Sequence, residues 1–179
     1  MAKVTIATIL DLQGVLKLQS KNLNKVGSDL ASGYVTATHD IDLLFRMNYP
    51  FPHSVIKSKE EVVGYALVML SEMKNEIELL IPMFNLIDTC AYEGKKIREQ
   101  KYFVMGQICI AEPFRGLGYF SKLYNHLIER LRGAYDYVIT EVDFNNHRSL
   151  GAHINYGFEV LLEYKMRELN WVILIKRIQ

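Results

Sequence analysis

The stretch ICIAEPFRGLGYFSKLY, Ile108 to Tyr124, is the most informative part of the chain. Its pattern predicts a strand, a tight basic turn and a helix with no spacer between them. In the turn, Gly116 and Gly118 allow the backbone to bend so that successive N–H groups point at one spot. The first helical turn adds unpaired N–H groups and the positive end of the helix dipole. Because Arg115 adds a forked cation suited to phosphate oxygens, the junction predicts a pyrophosphate site.

The spacing of this turn separates it from other phosphate-binding motifs. A Walker A loop needs Lys and then Ser or Thr after its last glycine, but Tyr119 and Phe120 follow Gly118. A dinucleotide fingerprint needs a third glycine where Ser121 stands. The turn resembles the acyl-CoA motif of the GNAT superfamily of N-acetyltransferases, which is Arg or Gln, two residues, Gly, one residue, and Gly or Ala. Phe120 departs from the final small residue, and an ordinary strand-to-helix turn is the alternative for these residues alone.

A second segment, residues 145–158, strengthens the resemblance. It is similar to another recurrent GNAT segment, which has Asn, one residue, Arg, a small residue, an apolar residue, a short helix and Gly-Phe. The residues at the matching offsets are Asn146, Arg148, Ser149, Leu150, Gly157 and Phe158. Asn145 or Asn146 suits a helix N-cap, and Gly157 suits a left-handed helix stop. With both segments in this order, the chain is identified as a member of the GNAT superfamily.

The remaining pattern predicts an α/β fold. Asp11 and Asp40 are placed to cap two helices near the start of the chain, and a polar loop is predicted between these helices over residues 27–39. Strands are predicted over residues 3–9, 54–58, 62–70, 102–111, 136–144, 158–168 and 171–178. The same order is typical of the GNAT family, and the resemblance implies a mixed, mostly antiparallel sheet with splayed central strands flanked by helices.

Residues 76–93 form an insertion between the third and fourth strands. Their apolar residues predict one extra helix, with Pro82 in its first turn and Gly94 at its end. Most of the circumference of this helix is apolar, so it must be covered. Packing on the sheet, a lid over the substrate cleft and a homodimer contact are the three roles left open.

The composition is that of an ordinary globular protein. The chain has 179 residues, 50% of them hydrophobic and 23% charged, with a net charge of +1. We therefore expect a single domain over residues 1–179, without a nucleic-acid or membrane partner. The first residues do not resemble a signal peptide, and two cysteines are too few for a disulfide framework, which favours a cytoplasmic location. The five histidines and two cysteines show no metal-ligand spacing, so no metal is predicted.

The resemblance implies a set of residues that hold acetyl-CoA as co-substrate. The pantetheine arm would bond to the backbone of Ile108, Cys109 and Ile110 as an added strand, with the Ile110 N–H polarising the thioester carbonyl. A buried, inert thiol is favoured for Cys109 over an acyl-cysteine mechanism. The remaining predicted cofactor residues are Arg115, Gly116, Leu117, Gly118, Tyr119, Phe120, Asn146 and Ser149.

The acid and the base for amine acetylation are predicted less directly. GNAT enzymes often use a tyrosine as the general acid, eight residues into the second motif. Counted from Asn146, that position holds His153. His153 could protonate the thiolate, bind substrate or lie on the surface, and Tyr156 lies one helical turn further on. Glu141 and Asp143 share a strand face, and Glu141 is the predicted base.

The sequence thus predicts a cytoplasmic N-acetyltransferase acting on a primary amine of a small molecule or peptide. The main alternative is a non-catalytic acyl-CoA binding or sensing module, which the missing tyrosine would explain. A third possibility is an unrelated phosphate-ligand binder with a similar turn, for which simple nucleotides would compete as well as CoA.

Overall fold

The computed structural model describes residues 2–23 and 33–178. Residues 27–32 of the predicted loop lie outside these ranges. The strands are β1 Lys3–Ile6, β2 Ser54–Ser58, β3 Glu61–Met69, β4 Ala91–Tyr92, β5 Lys95–Lys96, β6 Tyr102–Ile110, β7 Tyr137–Asp143, β8 Glu159–Met166 and β9 Leu169–Arg177. The α-helices are α1 Leu12–Asn22, α2 Ile41–Met47, α3 Ile81–Ile87, α4 Tyr119–Leu131 and α5 His147–Asn155.

Seven strands form one sheet in the order β1-β2-β3-β6-β7-β9-β8. β6 pairs with β7 in parallel, whereas the β1–β2, β2–β3, β7–β9 and β8–β9 pairs are antiparallel. The parallel ladder joins Tyr102–Val104 to Tyr137–Ile139, although β6 continues to Ile110 and β7 to Asp143. This mixed, mostly antiparallel sheet with its flanking helices confirms the predicted fold class.

The chain divides into two compact units, which leaves the single domain over residues 1–179 a prediction. The described parts of the first unit are residues 2–23, 34–68 and 105–131. In it, α4 packs on β1 and β2, and α1 packs against α2. The side chains buried at core spacing on α4 are Leu123, Leu127, Ile128 and Leu131.

The two predicted helix caps of the first unit have different outcomes. Asp40 caps α2 as predicted, because its carboxylate accepts a hydrogen bond from the Leu43 N–H at 2.7 Å. Asp11 does not cap α1, so that prediction is wrong. Its carboxylate accepts instead from the N–H and the hydroxyl of Thr8 and forms an ion pair with Lys57 at 3.0 Å. A 3-10 turn before α1 turns the side chain back towards Thr8.

The second unit comprises, among the described residues, 33, 69–104 and 132–178. β9 lies between β7 and β8 in an antiparallel arrangement, and its residues Val172 to Ile175 are buried. α5 follows β7 directly. This unit therefore holds the second sequence motif together with the strand that precedes it.

The insertion differs from the single helix predicted over residues 76–93. α3 covers only Ile81–Ile87, with Pro82 in its first turn as predicted, and the β4–β5 hairpin follows. Glu93 at φ 49° and Gly94 at φ 77° form the two-residue turn of this hairpin, so Gly94 is not a helix stop. The buried apolar side chains of the insertion are Ile77, Leu80, Met83, Phe84 and Ile87. This burial supports the packing role, while the lid and the dimer contact stay predictions.

Candidate functional site

The glycine turn between β6 and α4 has the backbone that an anion site requires. Gly116 at φ 73° and Gly118 at φ 74° are both left-handed, and α4 begins at the next residue, Tyr119. Side chains are strained at such φ values, so both positions favour glycine. A Cβ atom at either glycine would meet nothing within 4 Å, which shows that the outer surface of the turn is open. The turn thus fits a pyrophosphate held by backbone N–H groups.

Arg115 is anchored by two hydrogen bonds within the first unit. Its Nε donates to the Ile110 carbonyl at 2.8 Å, and one Nη donates to the Asn22 side-chain carbonyl at 2.7 Å. The side chain therefore ties the turn to the end of β6 and to the last residue of α1. Asn22 was missed by the sequence reasoning, because no local pattern links residues that lie 93 positions apart.

The two aromatic residues at the start of α4 both pack against the protein. The Phe120 ring is half-buried and lies 5.1 Å from the Tyr124 ring, centroid to centroid. Tyr119 is the more buried of the two, and its hydroxyl donates to the Ala2 carbonyl at 3.2 Å. A large ring at the small-residue position of the motif is thereby accommodated on the helix.

The end of β6 presents backbone groups on the side away from β3. The Ala111 N–H donates to the Val63 carbonyl of β3 at 2.8 Å. Because successive residues of a strand direct their N–H groups to opposite edges, the Ile110 N–H points away from β3. Ile108 and Ile110 are half-buried, whereas Cys109 is buried. Burial raises the pKa of the Cys109 thiol to about 11, which agrees with an inert thiol.

In the second unit, the second motif is built around the cap of α5. The Asn146 side-chain carbonyl accepts from the Ser149 N–H at 3.3 Å, and Asn146 itself is buried. Gly157 at φ 95° provides the left-handed stop that was predicted for this helix. Asn146 and Ser149 are thus brought together by the helix start, and their role toward the cofactor stays a prediction.

His153 is enclosed on α5 and has a structural hydrogen bond. It is 1% exposed, and its Nδ1 lies 2.8 Å from the Ser149 carbonyl oxygen. Because a carbonyl can only accept, Nδ1 carries a proton and donates it to Ser149. Burial lowers the pKa of His153 to about 4. This environment disfavours His153 as the proton donor near neutral pH.

Tyr156 is the better placed of the two predicted acids. It follows α5 as the C-cap residue and is half-buried. The Lys176 ammonium lies 5.3 Å from the centre of its ring. Burial raises the pKa of the Tyr156 hydroxyl, so this group keeps its proton near neutral pH.

The two carboxylates on β7 have different environments. Asp143 is buried and accepts from the Asn145 N–H at 2.9 Å, which stabilises the turn after the strand. Glu141 accepts from the Tyr164 hydroxyl through Oε1. Burial raises the pKa of the Glu141 carboxyl to about 7, and the Tyr164 hydrogen bond lowers it. A carboxylate with a pKa near the working pH suits a general base.

Tyr164 was also missed by the sequence reasoning. It lies on β8, and β9 separates that strand from β7. Only the register of this antiparallel sheet brings its hydroxyl to Glu141, and 23 positions separate the two residues in the chain.

Within residues 2–23 and 33–178, no group of three or more His, Cys, Asp or Glu side chains could hold a metal ion. None of the helices described is both long enough and apolar enough to cross a membrane.

A sequence model of the acetyltransferase (GNAT) family matches residues 23–158. The match covers more than half of the 179 residues, and the chain therefore belongs to the GNAT acetyltransferase family. This confirms the resemblance drawn from the two sequence motifs and identifies the class as acyl-CoA-dependent acetyltransferases. A search of curated protein sequences finds no significant match.

Several solved structures share the fold of the whole chain. An N-acetyltransferase from Staphylococcus aureus has a TM-score of 0.65 at 17% identity, covering 100% of this chain and 99% of that one. The putative acetyltransferase yncA from Salmonella typhimurium, solved with its cofactor acetyl-CoA, has a TM-score of 0.65 at 17% identity, covering 99% and 94%. A ribosomal-protein-alanine N-acetyltransferase from Brucella melitensis has a TM-score of 0.64 at 21% identity, covering 98% and 99%. At these identities the likeness shows the fold alone.

Proposed function

We propose that the chain is a cytoplasmic N-acetyltransferase that transfers the acetyl group of acetyl-CoA to a primary amine of a small molecule or peptide. The observation that carries this proposal is the open glycine turn, with Gly116 and Gly118 left-handed at the start of α4. The Salmonella typhimurium protein of the same fold holds acetyl-CoA, and the Brucella melitensis protein is named for a protein substrate. Both descriptions agree with the proposal.

The residues around the turn would hold the co-substrate. Backbone N–H groups from Gly116 to Phe120, with the dipole of α4 behind them, would bind the pyrophosphate. Arg115 keeps the turn in position through its hydrogen bonds to Ile110 and Asn22. Its guanidinium would also place a positive charge beside the phosphates. Along β6, the N–H groups of Ile108 and Ile110 would bond to the pantetheine arm. The Ile110 N–H would stabilise negative charge on the thioester oxygen.

Glu141 would act as the base. An alkylamine has a pKa near 10 and arrives protonated, so a proton must leave its nitrogen before it can attack. The Glu141 carboxylate would take that proton, directly or through a water molecule, and Tyr164 would hold the carboxylate in place.

Acetyl-CoA supplies an acetyl thioester, from which the amine nitrogen takes the acetyl group as an N–C bond forms and the C–S bond breaks with its electron pair on sulfur. Tyr156 would donate its hydroxyl proton to that sulfur. The nitrogen would lose its second proton as the amide forms, and that proton would pass through water to the Tyr156 oxygen and restore its hydroxyl. His153 would instead support α5, because its one assigned proton is already donated to Ser149.

The test combines binding with turnover. Acetyl-CoA should raise the melting temperature of the protein, and a panel of primary amines should then release free CoA thiol. Stabilisation without thiol release for any amine would favour the non-catalytic binding module instead. Equal stabilisation by simple nucleotides would favour an unrelated phosphate binder. No stabilisation at millimolar acetyl-CoA would contradict the proposed site.

A further inference from the structure

One face of the second unit's sheet brings three polar side chains together on different strands. Asp143 lies opposite Trp171, and Trp171 lies opposite Tyr164. Side chains of directly opposite residues project from the same face, as do those of residues two apart in a strand. Glu141, two residues before Asp143, therefore shares this face with Trp171 and Tyr164. The hydrogen bond between Tyr164 and Glu141 confirms the arrangement.

Two buried polar atoms on this face have no hydrogen-bond partner among the described residues. Trp171 is 2% exposed, and its indole Nε1 is without an acceptor. The Glu141 Oε2 is likewise buried and without a donor, although Oε1 accepts from Tyr164. Buried polar groups are nearly always hydrogen-bonded in folded proteins, and exceptions frequently mark a functional site or an unseen bound molecule. One of these atoms is a donor and the other an acceptor.

We infer that Trp171 and Glu141 form a binding site for the acceptor amine, and that they select an amine carrying an oxygen acceptor on the adjacent carbon. An α-amino carbonyl group, as in an amino-acid amide or a peptide N-terminus, has this chemistry. Its ammonium donates to the Glu141 Oε2, and its carbonyl oxygen accepts from the Trp171 Nε1. A plain alkylamine satisfies only the carboxylate and leaves the indole unpaired. This inference rests on the proposed function for its role in catalysis.

Both atoms are closed to solvent in this structure, so a ligand reaches them only when a neighbouring side chain moves. Tyr164 is the neighbour bonded to the carboxylate, and it is half-buried on β8, at the edge of the sheet. Trp171 is the only tryptophan of the chain. Its fluorescence therefore reports on the surroundings of Trp171. The titration requires neither acetyl-CoA nor turnover.

The first experiment is a fluorescence titration with two amines of similar shape. Alaninamide carries the carbonyl, and 2-amino-3-methylbutane is its hydrocarbon analogue. We expect a saturable change with alaninamide at concentrations at least about tenfold lower than with the analogue, since a buried donor left unpaired weakens binding. Glu141→Gln should weaken the alaninamide titration. Trialanine amide tests whether the ligand is a single aminoacyl group or a peptide N-terminus. Binding equal to that of alaninamide assigns the site to the first aminoacyl unit, and much tighter binding assigns it to a peptide.

The second experiment compares kcat/KM for the two amines in the wild type and in Trp171→Phe, which removes the N–H and keeps an aromatic ring. We expect the alaninamide preference to fall at least about fivefold in the variant. The preference is the ratio of kcat/KM for the two amines within one protein, so any loss of folded protein cancels. Comparing this ratio between the wild type and the variant also cancels the difference in pKa between the amines. An unchanged ratio, or acetyl transfer to alaninamide without any fluorescence change, would overturn the inference and leave the proposed function intact. A saturable fluorescence change without thiol release would support this site and contradict the proposed function.

Discussion

The hydroxyl of Tyr164 on β8 donates a hydrogen bond to the carboxylate of Glu141 on β7, across the intervening strand β9. Burial raises the pKa of Glu141 to about 7, and this bond lowers it. Tyr164→Phe removes the bond and leaves burial unopposed, so the Glu141 pKa should rise. With Glu141 as base, the acidic limb of the kcat profile should move upward by about one pH unit, since a hydrogen bond to a charged group contributes about 1.5 kcal/mol or more. Initial rates between pH 5.5 and 9 measure this shift.

Glu141→Gln is the matched variant for that experiment. It keeps the size of the side chain and removes the base, so kcat should fall by about 10²- to 10⁴-fold and the limb should disappear. If the limb stays in place in Tyr164→Phe and in Glu141→Gln alike, the base is another group. The same amine must be used throughout, because the amine itself titrates.

The raised pKa of Glu141 also predicts that the stability of the fold depends on pH. Its pKa in the folded chain is raised from 4.5 to about 7, so the folded state holds this proton more tightly than the unfolded state. The stability gained from the proton is complete below pH 4.5 and is lost as the pH rises through 7. Glu141→Gln should therefore raise the melting temperature relative to wild type at pH 8 and not at pH 4.5. Thermal unfolding at the two pH values checks the sign, and an equal difference at both would contradict a raised pKa.

The glycine turn has a matched control elsewhere in the chain. Gly118 and Gly133 are both left-handed, at φ 74° and 89°, and a Cβ at either would meet nothing within 4 Å. Alanine at either position should cost about 1–2 kcal/mol of stability through the same backbone strain. Only Gly118→Ala should weaken acetyl-CoA binding, by about tenfold or more, because it places a methyl group where the pyrophosphate would approach. Calorimetric titration distinguishes the variants, and equal losses in both would mean that strain alone is responsible.

The contribution of the Arg115 hydrogen bonds to acetyl-CoA binding can be separated from the contribution of its charge. Asn22→Leu removes the acceptor of one guanidinium hydrogen bond, and Arg115→Lys keeps the charge but cannot fork between Asn22 and the Ile110 carbonyl. If the anchor orders the turn, both variants should lose acetyl-CoA affinity by about three- to tenfold. If only the charge matters, both should bind as the wild type does, and the same titration decides between these outcomes.

The parts that the sequence predicted well are those whose structure is decided locally. The turn at Gly116 and Gly118 and the helix from Asn146 to Gly157 follow from backbone conformation and capping, which neighbouring residues set. The insertion was predicted less well, because its apolar residues fit a long helix as readily as a short helix and a hairpin. Tertiary packing, with Glu93 and Gly94 in the turn, selects the hairpin.

The contacts that define the candidate site are between residues far apart in sequence. Arg115 meets Asn22, and Glu141 meets Tyr164, only because the sheet register and the helix packing bring them together. The sequence could propose Glu141 from its place on the strand, but it could not show the burial that raises its pKa. For the same reason, the burial of His153 could not be known from its position in the motif.

His153 and Tyr156 should have separable roles. The pKa of His153 is lowered from 6.5 to about 4 in the folded chain, so its contribution to stability is present above pH 6.5 and is lost as the pH falls through 4. The difference corresponds to about 3 kcal/mol. His153→Gln keeps an N–H donor for the Ser149 carbonyl and cannot titrate. It should flatten the acid dependence of the unfolding free energy by up to that amount, with kcat within about threefold of wild type. Tyr156→Phe should instead lower kcat by about 10²-fold and leave the acid dependence unchanged. Denaturant unfolding at pH 4.5 and 7 and steady-state rates measure both. A large loss of kcat in His153→Gln without any change in stability would make His153 the acid.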